Sequence, residues 1–311
     1  MNRDKIIAWL MKGDPVIRWQ VMRDLEGYEE SMVEAERKKM ITEGWTAKLL
    51  SLQDDAGMWG GGYYTPKWTS THYTLLLLRF FGLPKDIAQA HKACRLLLEH
   101  GFYKDGGINY WSVRMKHSED CVTGMLLSML CYFRYGDERI HAITEYLLRQ
   151  QLADDGWNCR VYAGDEHSSF HTTISVLEGF WEYEQCYPER SAAVLKARER
   201  GHEFLFRHKL YQSHRTGKLA FPAVTRFSFP PHWHYDLLRG LDYLRACCAA
   251  YDERMKGALD VVRTKQNADG YWILQNRYKG SMHFEMEEPG LPSRWNTLRA
   301  LRILARVGPQ H

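Results

Sequence analysis

The stretch that decides the fold is Gln53-Asp-Asp-Ala-Gly57-Met-Trp59, because it returns as Gln266-Asn-Ala-Asp-Gly270-Tyr-Trp272 and, in a close variant, in QQLADDGWNC around Gln151, Gly156 and Trp157. The shared pattern is QxxxGxW. FYKDGGINYW, from Phe102 to Trp111, reads as a degenerate fourth copy, and the segment around Gly217 as a fifth that has lost its aromatic residue. Recurrence of this kind marks an array of like units.

Each copy follows a segment of helical periodicity and precedes a second, more apolar helix. These second helices open alike: KWTSTHYTLLLL, KHSEDCVTGMLL, EHSSFHTTISVL, PPHWHYDLLRGL and LPSRWNTLRALRIL, with DPVIRWQVMRDL as a sixth. Superposing their apolar patterns sets Trp19, His72, Cys121, His171, His234 and Trp295 at one position, at intervals (by subtraction) of 53, 49, 50, 63 and 61 residues. Two helices and a turn per unit make a stacked hairpin array. Apolar spacing of i, i+3, i+4, i+7 through 68–82, 120–135, 169–183, 234–248 and 294–307 predicts inner helices, and no strand alternation competes, so the chain is expected to be all α. Amphipathic segments at 30–52, 86–100, 137–151, 190–208 and 254–266 predict outer helices, with 2–11 pairing with the last inner helix to close a ring. A single domain over 1–311 follows.

Composition narrows the function classes. The chain has 311 residues, 45% apolar and 26% charged, and a formal charge of +4 with Lys and Arg scattered among Asp and Glu, which gives nucleic-acid binding little support. No run approaches the ~20 apolar residues of a membrane span, and the N-terminal stretch lacks the features of a signal peptide. Seven cysteines, an odd number without close-set pairs of zinc-finger type, fit a reducing compartment, so a cytoplasmic protein acting on a small molecule is expected.

If six inner helices run parallel, their free N–H groups and aligned dipoles make one end of the ring electropositive, and an anionic substrate group is expected there. His72, Cys121, His171 and His234 then form a tier flanked by Trp19 and Trp295, with Asp120 and Arg294 one position earlier and Trp68, Glu166, His167, His232 and Asp236 about a turn away. Each has a plainer reading as well: Ser118, Thr69, Ser168 and Ser293 suit N-caps, a lone inner-face His is commonly core, and the tryptophans suit core or cavity lining. Lys209 to Pro231, and Arg277 to Trp295, are long enough to serve as lids.

Repeated QxxxGxW turns followed by inner helices that open with polar residues resemble the squalene–hopene cyclases and the β subunits of protein prenyltransferases, whose fold is an α6/α6 toroid. The resemblance covers nearly the whole chain. It implies that the Gln and Trp of each turn tie outer helices together. In the cyclases the middle Asp of a DxDD motif protonates an alkene; the matching window here is Ser118-Glu-Asp120-Cys121, so Asp120 is the implied proton donor, with His72 or His171 as partner, while Ser118 and Cys121 replace the outer acids. The prenyltransferases imply zinc, for which His72, Cys121, His171 and His234 are the candidate ligands beside Asp120. A metal-free alternative makes Cys121 a nucleophile, its thiol acidified by the helix start. The expected function is acid-initiated cyclisation or isomerisation of an isoprenoid-like substrate, with Asp120, His171, His72, Cys121, His234 and Asp236 as reacting groups and Trp68, Glu166, His167, His232, Arg294 and Trp295 lining the cavity. The alternatives are a zinc-dependent lyase, hydrolase or transferase acting on a polar small molecule, and a non-catalytic toroid that binds lipid or peptide.

Overall fold

The computed structural model describes residues 3–306; Met1, Asn2 and 307–311, the two ends of the expected domain, lie outside the described residues. Helices and isolated bridges are the regular structure among those residues. The six inner helices are α2 (Pro15–Asp24), α5 (Thr71–Phe81), α7 (Asp120–Tyr132), α9 (Phe170–Cys186), α11 (Leu237–Ala246) and α13 (Arg294–Arg306). Around them stand α1 (Arg3–Met11), α3 (Glu30–Lys39), α4 (Gly44–Ser51), α6 (Ala88–Gly101), α8 (Arg139–Arg149), α10 (Ala192–Arg207) and α12 (Lys256–Thr264). The result is an α/α toroid. None of the described helices is long and apolar enough to cross a membrane.

The turn motif is the joint of each unit. Trp59, Trp157 and Trp272 are buried, and each donates its indole N–H to the preceding outer helix, at Leu49 O (2.6 Å), Leu147 O (2.8 Å) and Val262 O (2.7 Å). Their backbone N–H groups reach the hydroxyls of Thr71, Thr173 and Thr297 on the following inner helices, at 3.0–3.1 Å. Ile108, in the degenerate copy, makes the same bond to Thr123 (3.0 Å). The glutamines act laterally: Gln53 Nε2 donates to Gln89 O in α6 and Gln151 Nε2 to Ala197 O in α10. Each full turn thus fixes one outer helix to its inner partner; Gln53 and Gln151 add a tie to the next outer helix, whereas Gln266 Nε2 donates within its own turn to Gly270 O.

One expected helix is divided. Segment 30–52 breaks between α3 and α4 because Asp14, the N-cap of α2, also accepts the Trp45 N–H at 2.8 Å. Gly44 makes that approach with φ +70°, where a Cβ would sit 2.1 Å from Asp14 Oδ2.

The ring closes through α13. Arg302 Nη1 donates to Gln20 Oε1 (2.8 Å) and Asp24 Oδ2 (3.0 Å) on α2, and the Arg294 guanidinium lies over Trp9 of α1 at 4.4 Å. On the opposite side α7 and α9 cross at small residues: a Cβ on Gly124 would meet Ser175 O at 2.7 Å, and one on Gly179 would meet Gly124 O at 2.6 Å. Glycine inside a helix ordinarily loses about 0.5–1 kcal/mol against Ala. Here the sign reverses. Gly124→Ala is expected to destabilise by about 1–3 kcal/mol, since backbone must move to admit the methyl group; a gain in denaturant midpoint would refute this close crossing.

Candidate functional site

Four of the six superposed residues do share a position. His72, Cys121, His171 and Trp295 are each the second residue of their helix. The structure corrects the other two: α11 is capped by Asp236, so His234 precedes the helix, while α2 is capped by Asp14, so Trp19 lies a turn deeper. Shared position gathers only some of the side chains: the His171 and His234 rings lie 5.8 Å apart, with Trp68 5.7 Å from His234, while the others meet neighbours of their own.

Asp120 turns to the outer layer, where Oδ1 accepts the Tyr146 hydroxyl of α8 at 2.9 Å. Burial, outweighing that bond, pushes its carboxyl up to about 8. Cys121 is buried with its thiol hydrogen-bonded to Cys159, and this bond, with burial, raises it well above the ordinary thiol range. That is opposite to the acidification expected from a helix start. His72 is fully buried beside the Tyr64, Tyr73 and Tyr110 rings, and burial lowers it to about 3. His171 Nδ1 accepts the Tyr235 N–H at 2.8 Å, and burial, then Arg239, lowers it to about 4. His234 is sandwiched between Tyr278 (3.5 Å) and Trp233 (3.7 Å) and is lowered to about 3 by burial and His171. Near neutral pH these imidazoles are uncharged.

Trp68 stacks on His232 at 3.9 Å, both buried, and donates its indole N–H to Lys279 O. Arg294 faces α1, and Glu166 and His167 are exposed on the surface. For zinc the donors do not fit: among the described residues no three His, Cys, Asp or Glu side chains come together in a metal-binding group.

A state-dependent pH profile follows from Asp120. Its carboxyl titrates higher in the folded chain than in the unfolded one, so stability is full below about pH 4 and declines as the pH rises toward about 8. Asp120→Asn is expected to flatten that decline in urea denaturation between pH 5 and 9; an unchanged slope would show that the carboxyl is not the titrating group.

The segment expected as a lid does something else. Its end and the four residues that follow, 227–235, cross the N-terminal end of the ring as a largely buried plug. Phe229 stacks on Trp295 at 3.9 Å, Arg299 Nη1 donates to Ser228 O, Arg239 Nη1 donates to the carbonyls of His232 and His234, and Asp236 Oδ2 accepts the Ser228 N–H and hydroxyl. Arg277 to Trp295 packs on the same end, with Ser281 paired to Lys67 and Trp68 through backbone bonds.

A cavity of about 410 Å³ therefore lies on the other side of the plug, among the deeper turns of the inner helices. Phe229, Pro231, Trp295 and Trp19 line it together with Phe80, Trp181, Tyr132 and Tyr243. Its chemistry comes from the ninth residue of each inner helix: Arg23, Arg79, Ser128, Glu178, Arg245 and Arg302. All but Ser128 line the cavity. Arg239, Asp242 and Arg299 join them from the preceding turns and Glu182 from the next turn of α9. The lining holds eight Arg or Lys side chains and three carboxylates, an excess of positive charge that favours an anionic ligand.

The two glutamates on consecutive turns of α9 are driven apart. Arg239 binds Glu178 through two bonds (2.9 and 3.0 Å), and although burial alone would raise Glu178, Arg239 and Arg79 hold it below the ordinary range. Glu182 is bonded by Arg79 at 2.9 Å with Lys85 adding a weaker pull, yet burial prevails, raising it. Opposite shifts give these neighbouring acids different proton affinities, Glu178 being the stronger acid and Glu182 the weaker. Arg79 Nε and the Trp295 indole N–H find no hydrogen-bond partner among the described residues and border the same space.

Of the sequence-based candidates, only Trp295 and the tier residue Trp19 line this cavity. The groups that were missed carried a readable signal: a charge interrupting an apolar inner helix, as in TLLLLRFF, SVLEGFWE and LRALRIL.

No protein-family model matches the chain. No curated protein matches it in sequence. Solved structures of similar course include a protein from Actinoplanes (TM-score 0.48, 16% identity, covering 94% of this chain and 90% of that one) and the type II terpene cyclase MstE from Scytonema (TM-score 0.47, 17% identity, 94% and 88%). A variant of that cyclase, similar at TM-score 0.46 and 16% identity over 94% and 86%, was solved with its substrate geranylgeranyl dihydroxybenzoate. These are likenesses of helical architecture, and no substrate or residue role is carried over from them.

Proposed function

We propose that the protein is a terpene-cyclase-like enzyme that holds an anionic isoprenoid-like substrate in the central cavity and starts its cyclisation or isomerisation by proton transfer from Glu182. The observation that carries this reading is the opposed pair of glutamates in a cavity that is both cationic and aromatic. Glu182 supplies the acid. Arg79, at 2.9 Å, stabilises the carboxylate left behind when the proton goes to an alkene carbon. The Trp19, Phe80, Trp181 and Trp295 rings then face the carbocation with their π-electrons, while the substrate's own anion offsets the excess of guanidinium charge. About 410 Å³ is within the usual range for a small-molecule site.

The test is incubation of the purified chain with farnesyl and geranylgeranyl diphosphate, with intrinsic tryptophan fluorescence for binding and mass spectrometry of extracted products for turnover. Saturable quenching and a cyclised or isomerised product of unchanged mass are expected. Quenching without product would leave a binding toroid, and no quenching would remove the isoprenoid reading.

A further inference from the structure

The cavity continues into a second recess of about 420 Å³ lined by Arg23, Asp24, Arg245, Ala246, Arg302 and Arg306. Three of these residues, Arg23, Arg245 and Arg302, are ninth-position residues that also line the cavity, so the recess is its charged vestibule. We infer that this vestibule, where the C-terminal ends of α2, α11 and α13 converge, is a diphosphate-binding site formed by Arg23, Arg245, Arg302 and Arg306. The inference deepens the reading above by placing the ligand's headgroup, and it rests on that reading only for what the headgroup carries.

Cations at helix C-termini often serve the helix dipole alone. That use is visible at α5, where Arg37 donates to the carbonyls of Gly82 and Leu83. The vestibule is built differently. The hydrogen bonds of Arg23, Arg245 and Arg302 run to Asp24, Asp242 and Gln20, not to last-turn carbonyls. Asp24 acts as a template: it accepts Arg23 Nε at 2.6 Å and Arg302 Nη1 at 3.0 Å, with Arg245 Nη1 4.0 Å away. Arg306 has no ion pair among the described residues. Asp242 also holds Arg245 and Arg302, so four guanidiniums share two carboxylates. A carboxylate ligand would neutralise one of the two surplus charges, whereas a diphosphate covers both and offers oxygens for several forked guanidinium bonds.

Calorimetry on the full chain with inorganic diphosphate, inorganic phosphate and acetate tests the site. Diphosphate is expected to bind with one-to-one stoichiometry, more tightly than phosphate by on the order of tenfold, with acetate giving no saturable heat. The Arg23→Gln/Arg306→Gln double variant is expected to weaken diphosphate by roughly tenfold or more, on the usual worth of charged hydrogen bonds. Arg23 is about half exposed (48%), and a thermal melt checks that the variant is folded; Arg306→Gln alone, at an exposed residue, gives the same reading with a smaller loss. Absence of diphosphate binding, or equal affinity in the double variant, overturns the inference. Farnesol separates the two readings. If farnesol binds and diphosphate does not, the vestibule fails and the aromatic cavity stands. If diphosphate binds and farnesyl diphosphate gains nothing from its tail, the vestibule stands and the cavity reading fails.

Discussion

Asp242→Asn is expected to lower folding stability by about 3–5 kcal/mol, the usual loss when one member of a buried ionic network is neutralised and its partners are left uncompensated. Asp242 sits on α11 with its side chain 15% exposed, and three guanidiniums converge on it. Oδ1 accepts Arg302 Nε at 2.7 Å and Arg245 Nε at 3.0 Å, while Oδ2 faces Arg302 Nη2 and lies 3.5 Å from Arg299 Nε. Burial alone would raise this carboxyl. Arg302, Arg245 and Arg299 together hold it far below the ordinary carboxylate range instead.

The sign of the pH dependence follows. A carboxyl depressed by folding stabilises the native state above its unfolded value of about 4, and the contribution is lost as pH falls toward the folded value. The difference between wild type and Asp242→Asn is therefore expected to be full at pH 6–8 and to narrow below about pH 4. Urea denaturation at these pH values measures it. The vestibule adds a second readout, since diphosphate should raise the midpoint of the variant more than that of the wild type by neutralising the stranded guanidiniums. A loss below about 1 kcal/mol at pH 7 would mean that Asp24 and Asp236 already suffice to hold the cluster.

The toroid was legible in the sequence because its joints are local. A QxxxGxW turn places its glycine, its indole and its amide within seven residues, and each finds partners within one helical hairpin or the next outer helix. Apolar periodicity then separates inner from outer helices with few ambiguities. The site was less legible for two physical reasons. Helix starts are rich in polar residues because N-terminal N–H groups need acceptors, so superposing the starts selected capping chemistry: Asp236 proved to be a cap and Asp120 the partner of an outer-layer tyrosine. The plug at 227–235 also has no periodicity that announces it, yet it seals the helix-start end and displaces the open volume by two turns. At that depth the sequence did carry a mark, since Arg79, Glu178 and Arg302 each interrupt a local apolar run, where a buried ion is retained only if paired or used.

Glu182→Gln is expected to reduce turnover of the cavity's substrate by about 10²–10⁴-fold, the usual contribution of a positioned general acid. Glutamine keeps the size of the side chain and can still accept from Arg79 Nη2, so substrate affinity is expected to stay within a few-fold and the loss to fall on kcat. The wild-type rate depends on the protonated acid and should decline as pH rises through the raised pKa of Glu182, whereas the residual rate of the variant should lack that limb. Asp120→Asn supplies the contrast. Its carboxyl is also raised by burial, but it hydrogen-bonds Tyr146 of the outer layer and does not line the cavity, so its variant should keep the wild-type rate while changing the pH profile of stability. The reverse outcome, with Asp120→Asn inactive and Glu182→Gln near wild type, would move the acid to the start of α7. It would also require the substrate to enter from the plugged end of the ring, through the stack of Trp68 on His232 and of Phe229 on Trp295.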